Sequence, residues 1–472
     1  MKKLEKITEK LKYQRKNFWK EFPQKEKEKV YQFCEGYKKF LNTCKTDRES
    51  IEIAVNTAIK KKYTDLDSSP SGKKIYRTFR KKNAAFALIG EKKISAGVNL
   101  IVSHIDAPRV DLKQNPLYQD SETSLGMMRT HYYGGVKKYQ WMSTPLALHG
   151  VFIKSNGEAV KVNIGENEDD PVFVMPDLLP HLAKEEQYSK KIGDAVNASM
   201  MNLVFNSIPY LDIADEKIKE AVKLNALVLL NEKYDLVEEN FLSAELELVP
   251  AGKARDCGLD KSMILGYGQD DRVCAYTSLE ALFDIKKNER TAIVYLADKE
   301  EIGSDSNTGA KSIFIVDFIA DLLKYNNENY DSSTLRKTLI NSQIISADVN
   351  AGLNPNFPNV HEAQNAVHLG FGVSVTKYTG SGGKGGSNDA NAEFNAKIID
   401  LFNREKVNWQ TGMLGKVDVG GGGTIAKFMA EYGAEVIDCG PGVLGMHSLF
   451  ELTSKADVYS AFKAYKAFME KA

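Results

Sequence analysis

Two adjacent carboxylates, Glu300 and Glu301, sit in the segment Ala297-Asp298-Lys299-Glu300-Glu301-Ile302-Gly303-Ser304, just past the apolar run Ala292-Ile293-Val294-Tyr295-Leu296. A run that apolar and β-branched reads as a buried strand. Acids just beyond its end lie at the carboxyl edge of a sheet, where open α/β folds bind ligands. Neighbouring residues there point in different directions, so one carboxylate can hold a metal while the other handles a proton. Taken alone, DKEE is also ordinary surface composition, so the chemistry depends on what the chain supplies at other strand ends.

Further segments have the same build. Val98 to Ser103 opens into His104-Ile105-Asp106, and Gln343 to Ala347 opens into Asp348-Val349-Asn350. Ala434 to Gly440 is followed, after a Gly/Pro turn, by Gly445-Met446-His447-Ser448. Gly266-Tyr267-Gly268-Gln269-Asp270-Asp271-Arg272 precedes a helix-like stretch. Imidazole and carboxylate ligands without thiolate suit zinc, manganese or cobalt in a hydrolytic site. Asp106 is placed to accept the second ring N–H of His104, which would fix its tautomer and raise its basicity.

The ordered segments SHIDAPRVDLKQNPLY, THYYGGVKKYQW, DLLPHLA, GYGQDDRVCAYTSL, DKEEIGS, SADVNAG, GSNDANAEF and MHSLFELTSKAD run from Ser103 to Asp457. Together they resemble the M18 family of metalloaminopeptidases, the aspartyl aminopeptidase and aminopeptidase I group. The resemblance implies an α/β fold: a three-layer α/β/α catalytic domain with a mixed sheet, interrupted by a smaller β-rich dimerisation domain. It also implies two divalent metal ions, zinc foremost, held by His104, Asp270, Glu301, Asp348 and His447. Asp270 would bridge the pair, with Asp271 beside it and Asp106 behind His104. Two such ions about 3.5–4 Å apart make a shared water hydroxide-like near neutral pH. Glu300 resembles the general base, passing the water's proton to the leaving amine. The substrates would be peptides with free N-termini, because a metal takes the terminal amine. His181, in Leu179-Pro180-His181-Leu182, resembles a histidine that reaches into the neighbouring subunit's site to stabilise an oxyanion; a capping or core role is its alternative. Dimers, assembled further into a tetrahedral dodecamer, complete the implied picture.

The glycine runs point elsewhere in the same site. Gly380 to Asn388 lacks the G-x-x-x-x-G-K-[ST] phosphate loop, because Gly385 follows Lys384. Gly420 to Gly423 precedes Thr424 and a helix-like stretch, and could bind an anion there or serve as turns. Both loops are expected to approach substrate, where only glycine lets backbone N–H groups come close. Substrate-binding roles accordingly fall to Lys384, Gly423 and Thr424. Acidic-specific family members carry a basic residue just before the SN pair. Here glycines stand near that place and Lys384 is the only cation, so neutral or basic N-terminal residues are expected alongside acidic ones.

The elements that must position these groups are partly visible. Residues Leu4 to about Lys62 are helical by period. Their recurring aromatics, including Tyr13, Phe18, Trp19, Tyr31, Phe33, Tyr37 and Phe40, suit a packed face over the sheet. Breaks are expected at Pro23 and near Thr43 and Thr46. From Pro108 to roughly Pro250, short alternating runs (146–153, 159–164, 245–249) predict antiparallel strands. The catalytic domain is thus read as 1–107 plus 251–472, split by a dimerisation domain at 108–250. The chain has 472 residues, 43% of them hydrophobic, with 63 basic and 63 acidic side chains. That balance gives no global field for nucleic acid or an anionic membrane. Five cysteines without paired spacing fit reduced thiols. No apolar stretch approaches a membrane span and no leader is evident, so a cytoplasmic location is expected. Competing functions are a carboxypeptidase or amidohydrolase of the same fold, a non-catalytic assembly or cargo protein keeping the shell, and, last, a nucleotide-binding enzyme.

Overall fold

The computed structural model describes residues 7, 10–68, 70–211, 219–380 and 382–472. Leu4, the expected helix start, and Ser381 of the first glycine run lie outside the described residues.

Four apolar strands run side by side in one direction. Ala292–Ala297 pairs with Asn99–His104, aligning Ala297 with His104. Asn99–His104 pairs with Gln343–Ser346, which in turn pairs with Glu435–Gly440, aligning Ser346 with Asp438. Their carboxyl ends therefore share one edge. Antiparallel strands extend the sheet on both sides: Asn83–Leu88 and Lys74–Phe79 beyond Ala292–Ala297, and Val373–Thr376 beyond Glu435–Gly440. The borders are short strands, Thr64–Asp65 and Trp409–Thr411, completing a mixed nine-stranded sheet.

Alternation along the strands builds two cores, one on each face. Ile293, Tyr295, Leu100, Val102, Ile344 and Val436 pack beneath helices Phe314–Tyr325 and Ala426–Ala430. Val294, Leu296, Ile101, Ile345 and Ile437 pack beneath Gln24–Thr43, Asp47–Lys60, Gln269–Asp284, Ala392–Arg404 and Lys455–Lys471. This is the three-layer α/β/α arrangement. The N-terminal helices break where the sequence signals breaks. Pro23 caps Gln24–Thr43, and Asp47–Lys60 starts from a capping box formed by Thr46 and Glu49. Phe18, Tyr37 and Phe40 are buried, whereas Tyr13 is exposed and touches Trp409.

Between Arg109 and Pro250 the chain forms a second, antiparallel sheet of six strands in the order Ala159–Ile164, Leu146–Ile153, Glu245–Pro250, Arg109–Gln119, Gly126–Tyr133, Leu203–Asn206. It has its own core, including Trp141, Phe152, Phe241 and Leu248, and helix Ala221–Tyr234 packs against it. Polar pairs tie it to the catalytic body: His149 Nδ1 lies 2.8 Å from Glu49, and Arg48 Nε donates to Glu245 at 2.6 Å. A third, five-stranded sheet contains Met263–Gly266, Glu451–Ser454 and Gly442–Leu444. It brings the approach to Asp270 and the turn carrying His447 together. Among the described residues no helix is long and apolar enough to cross a membrane, and the five cysteines are all free.

Candidate metal centre

Each proposed ligand lies at or just past the end of a strand. His104 ends Asn99–His104, and Glu300 and Glu301 form a short turn three residues beyond Ala292–Ala297. Asp348 lies two residues past Gln343–Ser346. Asp270 opens helix Gln269–Asp284 after strand Met263–Gly266, and His447 turns between two strands of the small sheet. His447 and Lys299 both adopt left-handed backbone, φ +65° and +69°. Such conformations concentrate at functional sites.

The five side chains converge. His104, Asp270 and Asp348 each offer a ligand atom within 4.8 Å of the others, as do Asp270, Glu301 and His447, and His104, Glu300 and Glu301. Asp270 belongs to the first two: its Oδ1 lies 3.1 Å from His104 Nε2 and its Oδ2 3.2 Å from His447 Nε2. Glu300 Oε2 is 4.0 Å from His104 Nε2, and Glu301 Oε2 is 3.4 Å from His447 Nε2. His104 and Asp270 are only 1% and 3% exposed.

Both imidazoles have their outer nitrogen held. His104 Nδ1 donates to the Asp106 carbonyl at 3.0 Å and lies 3.3 Å from its carboxylate. His447 Nδ1 donates to the Gly135 carbonyl at 3.2 Å. These oxygens only accept, so Nδ1 carries the proton and Nε2 turns inward in each ring. The Asp106 carboxylate also accepts from the Glu300 and Glu301 backbone N–H groups, at 3.1 Å each, and from Tyr133 Oη at 2.7 Å.

The electrostatics fit cations. Among the described residues, Asp270, Glu300, Glu301 and Asp348 surround two imidazoles, while Glu301 Oε1 and neighbouring Asp271 Oδ1 are buried without a donor. Burial, opposed by His104 and reinforced by Asp106 and Asp270, pushes Glu300 up to about 7. Burial and the charge of Asp270 hold Glu301 and Asp348 well above the usual carboxylate range. Asp270 itself is held low, against burial, by hydrogen bonds from His104 and His447. A surplus of carboxylate in a dry pocket, with inward-facing imidazole nitrogens, suits divalent metal.

The other expected residues lie outside this cluster. Lys384 Nζ donates to Asp389 at 2.8 Å and stands 3.9 Å from the Tyr378 ring centroid. Lys377 also bonds Asp389, so one carboxylate answers two lysines. Thr424 Oγ1 donates to buried Asp438 at 2.6 Å, and Gly423 packs closely against the Gly386 carbonyl. His181 is exposed on the turn Pro180–Leu182, where its ring makes no hydrogen bond among the described residues.

A buried acid among these residues is silent in the sequence. Glu451, 1% exposed, accepts from the Asp270 N–H (3.1 Å) and the His447 N–H (2.8 Å). It thereby holds two members of one triad that are far apart in sequence. The available signal was an acid at an inward position of the strand Glu451–Ser454.

Histidines and carboxylates gathered at the carboxyl edge of a mixed α/β sheet define a metallohydrolase class. Comparison with known proteins makes this specific. Residues 40–469 match the family model described as aminopeptidase I zinc metalloprotease (M18). A probable M18 family aminopeptidase 1 from Clostridium acetobutylicum is 47% identical over 461 residues, 96% of this chain and 98% of that one. The Thermotoga maritima relative of the same description is 44% identical, covering 98% and 100%. A crystal structure of an M18 aminopeptidase from Thermotoga maritima superposes with a TM-score of 0.92 at 43% identity, covering 98% of this chain and 100% of that chain. The chain belongs to the M18 family and is a metal-dependent aminopeptidase, a hydrolase acting at the N-terminal residues of peptides. The S. cerevisiae mApe1 dodecamer shares the fold, with a TM-score of 0.72 at 22% identity and coverage of 94% and 97%.

Proposed function

We propose that this aminopeptidase works with two divalent ions, zinc foremost and manganese or cobalt as alternatives, and with Glu300 as its general base. The observation that supports this most is the sharing of Asp270 between two separate ligand triads. His104 and Asp348 would complete one sphere, and His447 and Glu301 the other. Bound there, divalent ions supply Lewis acidity and lower the pKa of water toward neutrality.

The chain's own residues do the rest. Asp106 fixes the His104 tautomer and anchors the turn carrying Glu300 and Glu301 through their backbone N–H groups. Glu300, bearing a carboxyl shifted toward neutrality, is suited to take a proton from water and return it to the leaving amine nitrogen. Glycines stand where acidic-specific members carry a basic residue, and Lys384 is tied to Asp389, which supports a substrate range in which N-terminal aspartate does not dominate. Residues 108–250 are proposed as a dimerisation domain, with exposed His181 presented to the partner's site as an oxyanion donor. Assembly into a dodecamer and a cytoplasmic location belong to the same reading.

The test is a panel of aminoacyl fluorogenic substrates assayed with apo-protein to which zinc, manganese or cobalt is returned. Chelator-sensitive release of free N-terminal residues, lost in Glu300→Gln and absent on acetylated peptides, is the expected result. Cleavage of the acetylated peptides, or full activity in Glu300→Gln, refutes the mechanism.

A further inference from the structure

We infer that the turn Tyr133-Gly134-Gly135, at the end of an inserted-sheet strand, is a positioning element for the catalytic centre. The inference rests on the metal reading above. Three consecutive residues of the insertion each reach a different part of the site. Tyr133 Oη donates to the Asp106 carboxylate that also anchors the Glu300 and Glu301 N–H groups. Gly134, at φ +73°, lies so close to Glu301 that an added Cβ would stand 3.3 Å from Glu301 Cβ. Gly135 accepts the Nδ1 proton of His447, and a Cβ there would stand 3.0 Å from that nitrogen.

The tyrosine is itself held. The Arg109 guanidinium lies 3.9 Å from its ring centroid and Lys299 Nζ lies 5.3 Å away. Arg109 begins the neighbouring strand of the inserted sheet, where it pairs with Tyr133 in register. Lys299 directly precedes Glu300. Cation–ring contacts from the insertion and from the catalytic turn therefore restrain one phenol. Its hydroxyl then restrains the carboxylate behind the base. The two histidines are thus oriented from different sources: His104 by the residue two positions on, His447 by the inserted sheet. Any displacement of that sheet is transmitted to one imidazole and to the Glu300 turn together. Misplacement of catalytic groups by about 1 Å is enough for large rate losses.

The test uses the full chain, with cobalt alone as the binding probe and an aminoacyl fluorogenic substrate for kcat and KM, in Tyr133→Phe and Gly135→Ala. Tyr118→Phe, on the same sheet beneath Arg129, serves as control. Outer hydrogen-bond partners of metal ligands are worth about 10–100-fold in metal affinity or activity. Gly135→Ala is expected to weaken cobalt binding by about that factor and to alter the visible cobalt spectrum. Tyr133→Phe is expected to lower kcat by about 10–100-fold with KM within about twofold. Tyr118→Phe should match the parent in all three. Thermal melting of each apo-variant separates positioning from unfolding, and the cobalt titration is read on whichever site variant melts with the parent. Parental cobalt affinity, spectrum and kcat in the site variants overturn the inference. A parent chain that binds no cobalt instead refutes the metal reading on which it rests.

Discussion

Strand Ala292–Ala297 is buried at every position, whereas Ala159–Ile164 of the inserted sheet alternates between covered and open. The contrast extends beyond these strands. In the catalytic body the central strands have their apolar side chains covered on both sheet faces, and the clustered histidines and carboxylates lie at one edge. The insertion leaves large apolar groups in water along 172–211: Leu182 is 64% exposed, Ile192 68%, and Leu179, Tyr188 and Met200 are also open. Exposed apolar residues this numerous in one segment support the proposed dimerisation role of the insertion. Because the insertion also supplies Tyr133 and Gly135 to the site, its state bears directly on catalysis.

The most severe way to test that division is to strip the body of its chemistry while sparing its fold. Glu300→Gln should cost about 10²–10⁴ in kcat with little change in melting temperature; an activity loss explained by unfolding would remove Glu300 from the chemistry. Next comes the insertion. Leu182→Asp with Ile192→Asp should convert the assembly to monomers in analytical ultracentrifugation, with folded monomers losing roughly tenfold or more in activity, because His181 would no longer reach a partner and about 1 kcal/mol or more attends each disrupted anchor. Oligomers that persist at full activity would remove the interface from this segment.

The seam between the regions gives a smaller, pH-dependent effect. His149 stands between Glu49 and Glu166, at 2.8 and 3.1 Å. Burial lowers its pKa, but the two carboxylates overcome this and raise it to about 9. A raised histidine contributes stability that is whole below its ordinary value near 6.5 and is lost as pH rises through about 9. His149→Gln should therefore be less stable than the parent by up to about 3 kcal/mol at pH 6 in urea unfolding, with the gap closing toward pH 10. A gap that is constant with pH would mean the seam is held by shape alone. Smallest is the effect at Asp389. Asp389→Asn frees Lys377 and Lys384, and kcat/KM for N-terminal Asp relative to Leu should rise by about threefold to tenfold, as expected when an exposed ion pair is released. An unchanged ratio would separate this loop from specificity.

How far the sequence reached follows from the kind of signal each part carries. The central strands were legible because burial on both faces demands unbroken apolar runs, and acids or histidines interrupting such runs at their ends are conspicuous. The antiparallel strands at 146–153 and 245–250 were legible through alternation, and the N-terminal helices through Pro23 and the Thr46 cap. Spatial relations were not. Nothing local to Glu451 announces that its two oxygens face the N–H groups of Asp270 and His447, because those neighbours arrive through a sheet assembled from three distant segments. Tyr133 and Gly135 were equally silent: one is an ordinary strand aromatic, the other an ordinary turn glycine, until the insertion is folded against the body. Asp389 is silent for a similar reason, since its pairing with two lysines depends on loop closure that brings them to it.

The nine-stranded sheet ends on either side in strands of two and three residues, Thr64–Asp65 and Trp409–Thr411, the second beneath the Tyr13 ring. Borders so short present few free amide and carbonyl groups to a passing polypeptide. A protein with such borders keeps its hydrolytic half a poor template for runaway strand-on-strand growth even where many copies crowd together.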